Sequence, residues 1–356
     1  MKPFEKLSRL GRLRRMRELA HSALEKYGLG SAQYTLVRYS GNTLYRVYSS
    51  ENIAKADRKN LFIPSQFLLR VHWAGYRNAA AIQLELEWLR SLREDCGLPV
   101  PEPVPTLKGN LLVELSHPGI PESRYCSLLR WVNGRRLGER AKSSHYTAQG
   151  RLMAKMHSHA MEWRPSEGAC PRVYDWNGLF KEIPALCLPT DDIWSLLPES
   201  CVASFKTVAQ RSQEAMERLG KSPETFGLIH ADLGVDANLL FWYGQPRAID
   251  FDEIGLGYWI YDLAVALEHC RKQQNYRFYR DALLDGYSEI RSLSCKQIQY
   301  LDLFMATFDV YLGLWANAVS VLHPEQKAIR QRFKSCVRLI DHYLDSGSQN
   351  SLFLSK

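Results

Sequence analysis

Apolar residues recur at helical spacing from the start of the chain. Leu7, Leu10, Leu13, Ala20 and Leu24 mark one side of residues 4–27, which predicts an amphipathic helix ended by Gly28 and Gly30. The period then changes. Residues 34–39, 43–48 and 66–73 are rich in β-branched, aromatic and aliphatic side chains and read as strands, with Gly41-Asn42 as the turn between the first two. A charged loop over 51–64 leads into the third strand. Ile82, Leu86, Leu89 and Leu92 fall along one side of residues 78–93, a helix that should stop at Gly97 before a proline-punctuated stretch over 98–105. Residues 111–115 and 126–132 read as further strands, and Asn133-Gly134 turns the chain.

The pattern beyond is mainly helical. Helices are predicted over 144–160, 202–219, 258–270, 276–290, 296–321 and 325–344, with short strands at 226–228, 239–242 and 247–251. Residues 163–200 carry prolines and tryptophans without a clear period. The expected architecture is α+β in two parts: residues 1–131, β-rich with one inserted helix, and residues 132–356, larger and mainly helical.

Composition adds limits. With 356 residues, 46% of them hydrophobic, the chain can fill two cores. Its net charge of +8 owes part to Arg9, Arg12, Arg14, Arg15 and Arg17, the solvated side of the first helix. No nucleic-acid recognition motif accompanies that run, so no nucleic-acid partner is expected. No apolar run approaches the roughly 20 residues of a membrane span, and the first residues lack a secretory pattern; no membrane partner and a cytoplasmic location are expected. The eight cysteines are scattered without C-x-x-C or zinc spacing, as reduced thiols would be.

The chemistry concentrates in one segment. Leu228-Ile-His230-Ala-Asp232-Leu-Gly234-Val-Asp236-Ala-Asn238 is followed, after Gly244, by Arg247-Ala-Ile-Asp250-Phe-Asp252-Glu253. His230, Asp232, Asn238 and Asp250 adjoin apolar strand-like runs, where a rigid core can hold polar groups at a cleft. Phosphoryl transfer needs these types: a carboxylate to orient the attacking hydroxyl and accept its proton, and a few hard oxygen ligands for Mg²⁺. Asp232 suits the first task, and Asn238 and Asp250 the second; His230 suits a loop brace.

The segment resembles the catalytic loop and metal-binding turn of the aminoglycoside phosphotransferase and choline kinase family, which shares the protein-kinase fold. The continuation Gly255-Leu-Gly257-Tyr258-Trp259-Ile-Tyr261-Asp262-Leu263-Ala264 resembles that family's glycines leading into an Asp-Leu-Ala helix. The resemblance implies a bilobal kinase-like fold, binding of ATP and Mg²⁺, and a small-molecule hydroxyl as acceptor. It implies further that Arg70 takes the place of the phosphate-contacting lysine and pairs with Glu85, Glu87 being the rival. Asn42 would lie in the hairpin over the phosphates, and Leu129 and Trp131 in the hinge beside adenine. His157 and Asp262 would be packing and bracing residues. One feature departs from the pattern: Asn238 stands six positions after Asp232, where the family-like loop has five. Gly234 would absorb the extra residue, or Asp236 would take over a metal contact.

The acceptor is left open among aminoglycoside-, choline-, sugar- and amino-alcohol-like molecules. Trp259, Tyr261, Glu268, His269, Asp191, Asp192 and Trp194 are candidate neighbours of its pocket. A Ser/Thr protein kinase of the same fold and a non-catalytic nucleotide-binding scaffold are the alternatives.

Overall fold

A computed structural model describes residues 2–49, 62–181, 190–323 and 326–350. Most of the charged loop expected over 51–64, Cys187, the Asp191 side chain and Glu325 lie outside the described residues. In chain order the elements are α1 (Arg9–Lys26), β1 (Gln33–Ser40), β2 (Asn42–Tyr48), β3 (Phe62–Val71), α2 (Ala79–Cys96), β4 (Pro103–Val104), β5 (Leu112–Leu115), β6 (Arg124–Val132), α3 (Ser143–Glu162), β7 (Arg172–Tyr174), α4 (Trp176–Phe180), α5 (Thr190–Ser195), α6 (Glu199–Leu219), β8 (Phe226–Ile229), β9 (Leu239–Trp242), β10 (Gln245–Ala248), β11 (Gly255–Tyr258), α7 (Trp259–Leu267), α8 (Tyr276–Ser288), α9 (Cys295–Ile298), α10 (Leu301–Leu322) and α11 (Lys327–Asn350).

Packing divides the chain into two units. The first comprises Met1–Arg136, Arg164–Pro171 and Leu239–Asp252; the second comprises Leu137–Trp163, Arg172–Asn238 and Glu253–Lys356. The hairpin β9–β10 and the turn after it therefore group with the first unit rather than with the helices that flank them in sequence.

The first unit is an antiparallel sheet in the order β1-β2-β3-β6-β4, with β5 also on β6. Successive side chains of a strand face opposite sides. Leu69 and Val71 of β3 join the core formed with Met16, Leu19, Ala20 and Leu24 of α1, while Arg70 between them reaches Glu85 of α2. α1 starts later than its period suggests, because the Ser8 side chain caps it by accepting from Gly11 N–H. Its buried face is Met16, Leu19, Ala20, Ala23 and Leu24; Leu10, expected inside, is 70% exposed. α2 ends on Gly97 in the left-handed region, as a helix-stopping glycine does.

In the second unit, Gly150 of α3 and Gly286 of α8 let two helix backbones approach closely. A Cβ on Gly150 would lie 2.1 Å from the Leu283 carbonyl oxygen, and one on Gly286 2.1 Å from that of Thr147. β11 is the centre of a three-stranded sheet, parallel to β7 and antiparallel to β8. Gly255 and Gly257 lead into the Asp262-bearing helix as expected, with β11 running directly into α7. They are strand residues whose missing side chains admit Tyr174 and Ile229.

The helix expected over 296–321 is two, α9 and α10. Among the described residues, Cys295–Leu322 is the one helical stretch long and apolar enough, by length and composition, to cross a bilayer. Leu303, Phe304, Val310, Leu314 and Ala318 of that stretch are buried, as in the core helix of a folded unit. The described cysteines are all free thiols.

Candidate active site

Asp232 lies in the loop between β8 and β9, and the structure shows how the longer spacing to Asn238 is taken up. The Gly234 carbonyl accepts from both Ala237 N–H (3.1 Å) and Asn238 N–H (3.2 Å), closing one turn of helix. That turn returns Asn238 to Asp232: Asn238 Nδ2 donates to the Asp232 carboxylate at 2.7 Å and to its backbone carbonyl at 2.9 Å. The extra residue is thus wound into the turn, and the carboxylate and amide meet. Gly234 is needed for proximity, since a Cβ there would lie 2.8 Å from His269 Cδ2. Asp236, on the same turn, has a buried Oδ1 without a hydrogen-bond partner, and burial raises its pKa.

The loop is held from behind. Ala231 has φ +63°, a conformation costly for a residue with a side chain unless its surroundings enforce it. The enforcing group is Asp262 of α7. Its Oδ1 accepts Ala231 N–H at 2.7 Å, and its Oδ2 lies 3.4 Å from His230 N and 2.9 Å from His157 Nε2. His157 Nδ1 meets the Tyr287 hydroxyl at 2.9 Å, and burial holds this imidazole below its ordinary pKa. His157 thus packs, and Asp262 braces the Asp232 loop through Ala231 and His230 rather than its own helix. Gln149 Nε2 adds a bond to the Leu233 carbonyl at 2.5 Å. Asp262→Ala is expected to cost roughly 3–5 kcal/mol, the range for breaking a buried charged contact, and to depress activity with it. Thermal unfolding beside an ADP-release assay measures both effects.

The first unit carries the second group of residues. Arg70 is 2% exposed and donates from Nη1 to Glu85 Oε1 at 2.7 Å and from Nη2 to Asp250 Oδ1 at 3.3 Å. Burial alone would lower the pKa of Arg70, but Glu85, Asp250 and Asp252 together raise it. Burial likewise opposes ionisation of Glu85, yet Arg70 and Arg77 hold its pKa at about 2. Glu87, the rival, instead accepts from Gln83 Nε2 at 3.0 Å. Asp250 sits at φ +62°, with its side chain 32% exposed.

Asn42 follows Gly41 at the hairpin tip and spends its side chain on the protein. Nδ2 donates to Asp252 Oδ2 at 3.0 Å, and Oδ1 accepts Trp73 N–H at 3.0 Å. Leu129 lies within the sheet, opposite Leu68 on one side and Pro103 on the other. Arg130 N–H still donates to the Glu102 carbonyl at 2.9 Å, so the edge beyond β4 begins at Trp131, whose ring carries the Arg46 guanidinium at 4.3 Å.

The other expected pocket neighbours divide: Glu268 is buried, Trp194 half-buried, and Asp192 and His269 exposed. Trp259 and Tyr261 are fully buried, and Trp194 Nε1 is tied to the Phe180 carbonyl at 2.9 Å. Sequence reasoning did not single out Arg77 or Gln149, because neither belongs to a motif; only their reach across the fold gives them partners.

A family model described as "Phosphotransferase enzyme family" matches residues 54–294. The chain is similar to the amicoumacin kinase of Bacillus subtilis (strain 168), 27% identical over 206 residues, which are 56% of this chain and 56% of that protein. It thus spans little more than half the length of that relative. A solved structure of a microcompartment-associated aminopropanol kinase superposes with a TM-score of 0.74 at 25% identity, covering 93% of this chain and 98% of that one. An amicoumacin kinase, hAmiN, in complex with AMP-PNP, Ca²⁺ and Ami, superposes with a TM-score of 0.70 at 18% identity, covering 90% and 93%, and shares the fold. The sheet-bearing unit with its Arg70–Glu85 pair and the helical unit with its Asp232 loop are the two parts of a protein-kinase-like fold, and the chain belongs to the phosphotransferase enzyme family.

Proposed function

We propose that this protein transfers the γ-phosphoryl group of ATP to a hydroxyl of a small, amine-bearing alcohol. The observation that carries the reading is the Asp232–Asn238 hydrogen bond at 2.7 Å, which persists across the longer loop. Asp232 then orients the acceptor hydroxyl and takes its proton. Bound ATP supplies the phosphoryl group, and Mg²⁺ neutralises its phosphate oxygens. The donor chemistry suits a hard cation: both hydrogen bonds of the Asn238 side chain use Nδ2, which leaves Oδ1 as an acceptor, and Asp250 keeps Oδ2 outside its bond with Arg70. Asn238 and Asp250 are accordingly the proposed Mg²⁺ ligands. Arg70, oriented by Glu85, contacts phosphate, and the β6 edge at Trp131 takes adenine. The amine-bearing class rests on the aminopropanol kinase, whose likeness runs over nearly all of both chains.

Two measurements test this. An ADP-release screen over amino alcohols, choline analogues, aminoglycosides, sugars and generic proteins is expected to respond to an amino alcohol. A response only to protein supports the protein-kinase alternative, and none at all the scaffold. For the metal, Asn238→Ala is expected to raise the Mg²⁺ concentration needed for turnover by about tenfold, the loss of one oxygen ligand, while Asp236→Ala leaves it unchanged. The reverse pattern reassigns the ligand to Asp236.

A further inference from the structure

Arg77 has no counterpart in the parts list above, yet it is built into the Arg70–Glu85 pair. It directly precedes Asn78, which caps α2 by accepting Ala81 N–H at 2.8 Å. From there its side chain runs along the first turns of α2. Nη2 donates to the Ala81 carbonyl at 2.5 Å, and Nη1 to Glu85 Oε2. Glu85 is 1% exposed and so shares its two oxygens between two arginines.

A buried carboxylate facing a single guanidinium tends to form a two-pronged fork. Here the fork is prevented: Arg70 gives Glu85 only Nη1, and Arg70 Nε is buried without a hydrogen-bond partner. Charge follows the same logic. Arg70 faces two carboxylates, Glu85 and Asp250, and Arg77 adds the positive charge that balances the second of them. His72 beside them does not add to it, since burial, with Arg70 and Arg77, holds its imidazole well below its ordinary pKa.

We propose that Arg77 is a positioning residue for nucleotide binding: by holding the second oxygen of Glu85 it keeps Arg70 from being drawn into a closed fork, leaving that guanidinium for phosphate. The proposal rests on the phosphate role given to Arg70 above. Without Arg77, Glu85 turns its free oxygen to Arg70 Nε, and the strand arginine is neutralised by its own partner.

The test is equilibrium titration of the full chain with Mg²⁺ and AMP-PNP, which needs no acceptor. Arg77→Ala is expected to weaken binding about tenfold, the worth of a charged hydrogen bond, and Arg70→Ala at least as much. The double variant is expected to bind no more weakly than Arg70→Ala. Arg77→Lys, which keeps the charge but not both contacts, is expected to lose several-fold and serves if the alanine variant does not fold. A cavity of about 290 Å³ beside Arg77, lined also by His72, Trp73 and Tyr125, gives added guanidinium ion a route to the vacated place. Millimolar guanidinium is therefore expected to restore affinity in Arg77→Ala. Wild-type affinity in Arg77→Ala or Arg77→Lys, a double variant whose losses multiply, or failure of guanidinium to restore binding overturns the positioning role. Wild-type affinity in Arg70→Ala overturns instead the phosphate role on which it rests.

Discussion

Replacing Asp232 by asparagine is expected to leave Mg²⁺·ATP binding within about twofold of wild type and to lower phosphoryl transfer by about 10²–10⁴-fold, the usual worth of a positioned general base. The substitution is nearly isosteric. Asn238 Nδ2, which now donates to the carboxylate at 2.7 Å, finds the amide oxygen in the same place, and the bond to the residue 232 carbonyl at 2.9 Å is untouched. The loop stays braced by Asp262 through Ala231 N–H. What is removed is the carboxylate's charge and with it the ability to accept a proton. Initial rates at saturating ATP, set beside nucleotide titrations, separate the two quantities; equal turnover in both proteins would remove Asp232 as the base.

Asp250→Asn is the second large effect. Transfer is expected to fall on the order of 10³-fold, with a raised Mg²⁺ requirement, because an anionic ligand to the cation becomes neutral. The choice of asparagine matters here. Asp250 has φ +62°, and asparagine is among the residues that tolerate that region best, so the backbone is kept. The amide oxygen also still accepts from Arg70 Nη2, now 3.3 Å from Oδ1. A loss in this variant therefore reports the charge and not a collapsed turn. Mg²⁺ titration of turnover measures it, and an unchanged metal requirement would place the cation elsewhere.

Much of this was legible in the chain because it is local. The change from helical to strand period marks α1 and β1–β3, and the spacing from His230 to Asp252 marks the two loops proposed to carry the chemistry. Arg70 was readable only through the resemblance, as the residue in the place of the phosphate-contacting lysine. What the chain concealed depends on distant partners. Residues Pro103–Val104 read as a proline-rich connection and form a strand because β6 offers them an edge. Gly255 and Gly257 read only as the lead-in to a helix; that they also form the middle of a sheet depends on β7 and β8, whose Tyr174 and Ile229 occupy the space beside them. Leu10 keeps the apolar period of α1 but lies beyond the sheet that buries Met16 and Leu19. Asp262 was taken as bracing its own helix, and its observed role, holding Ala231 in a strained conformation, needs a contact spanning 31 positions. The spacing to Asn238 suggested a rearranged loop, and one helical turn at Gly234 absorbs it.

The central claim is that Asp232 directs the γ-phosphoryl group of ATP to an alcohol. Incubation of the wild-type chain with Mg²⁺, ATP and the amino alcohol that responds in the screen, followed by phosphorus NMR, tests it most directly. A phosphate monoester on the acceptor hydroxyl is expected, formed in step with ADP, and none above background with Asp232→Asn. ADP appearing with free phosphate and no ester, or an ester formed equally by both proteins, would contradict it.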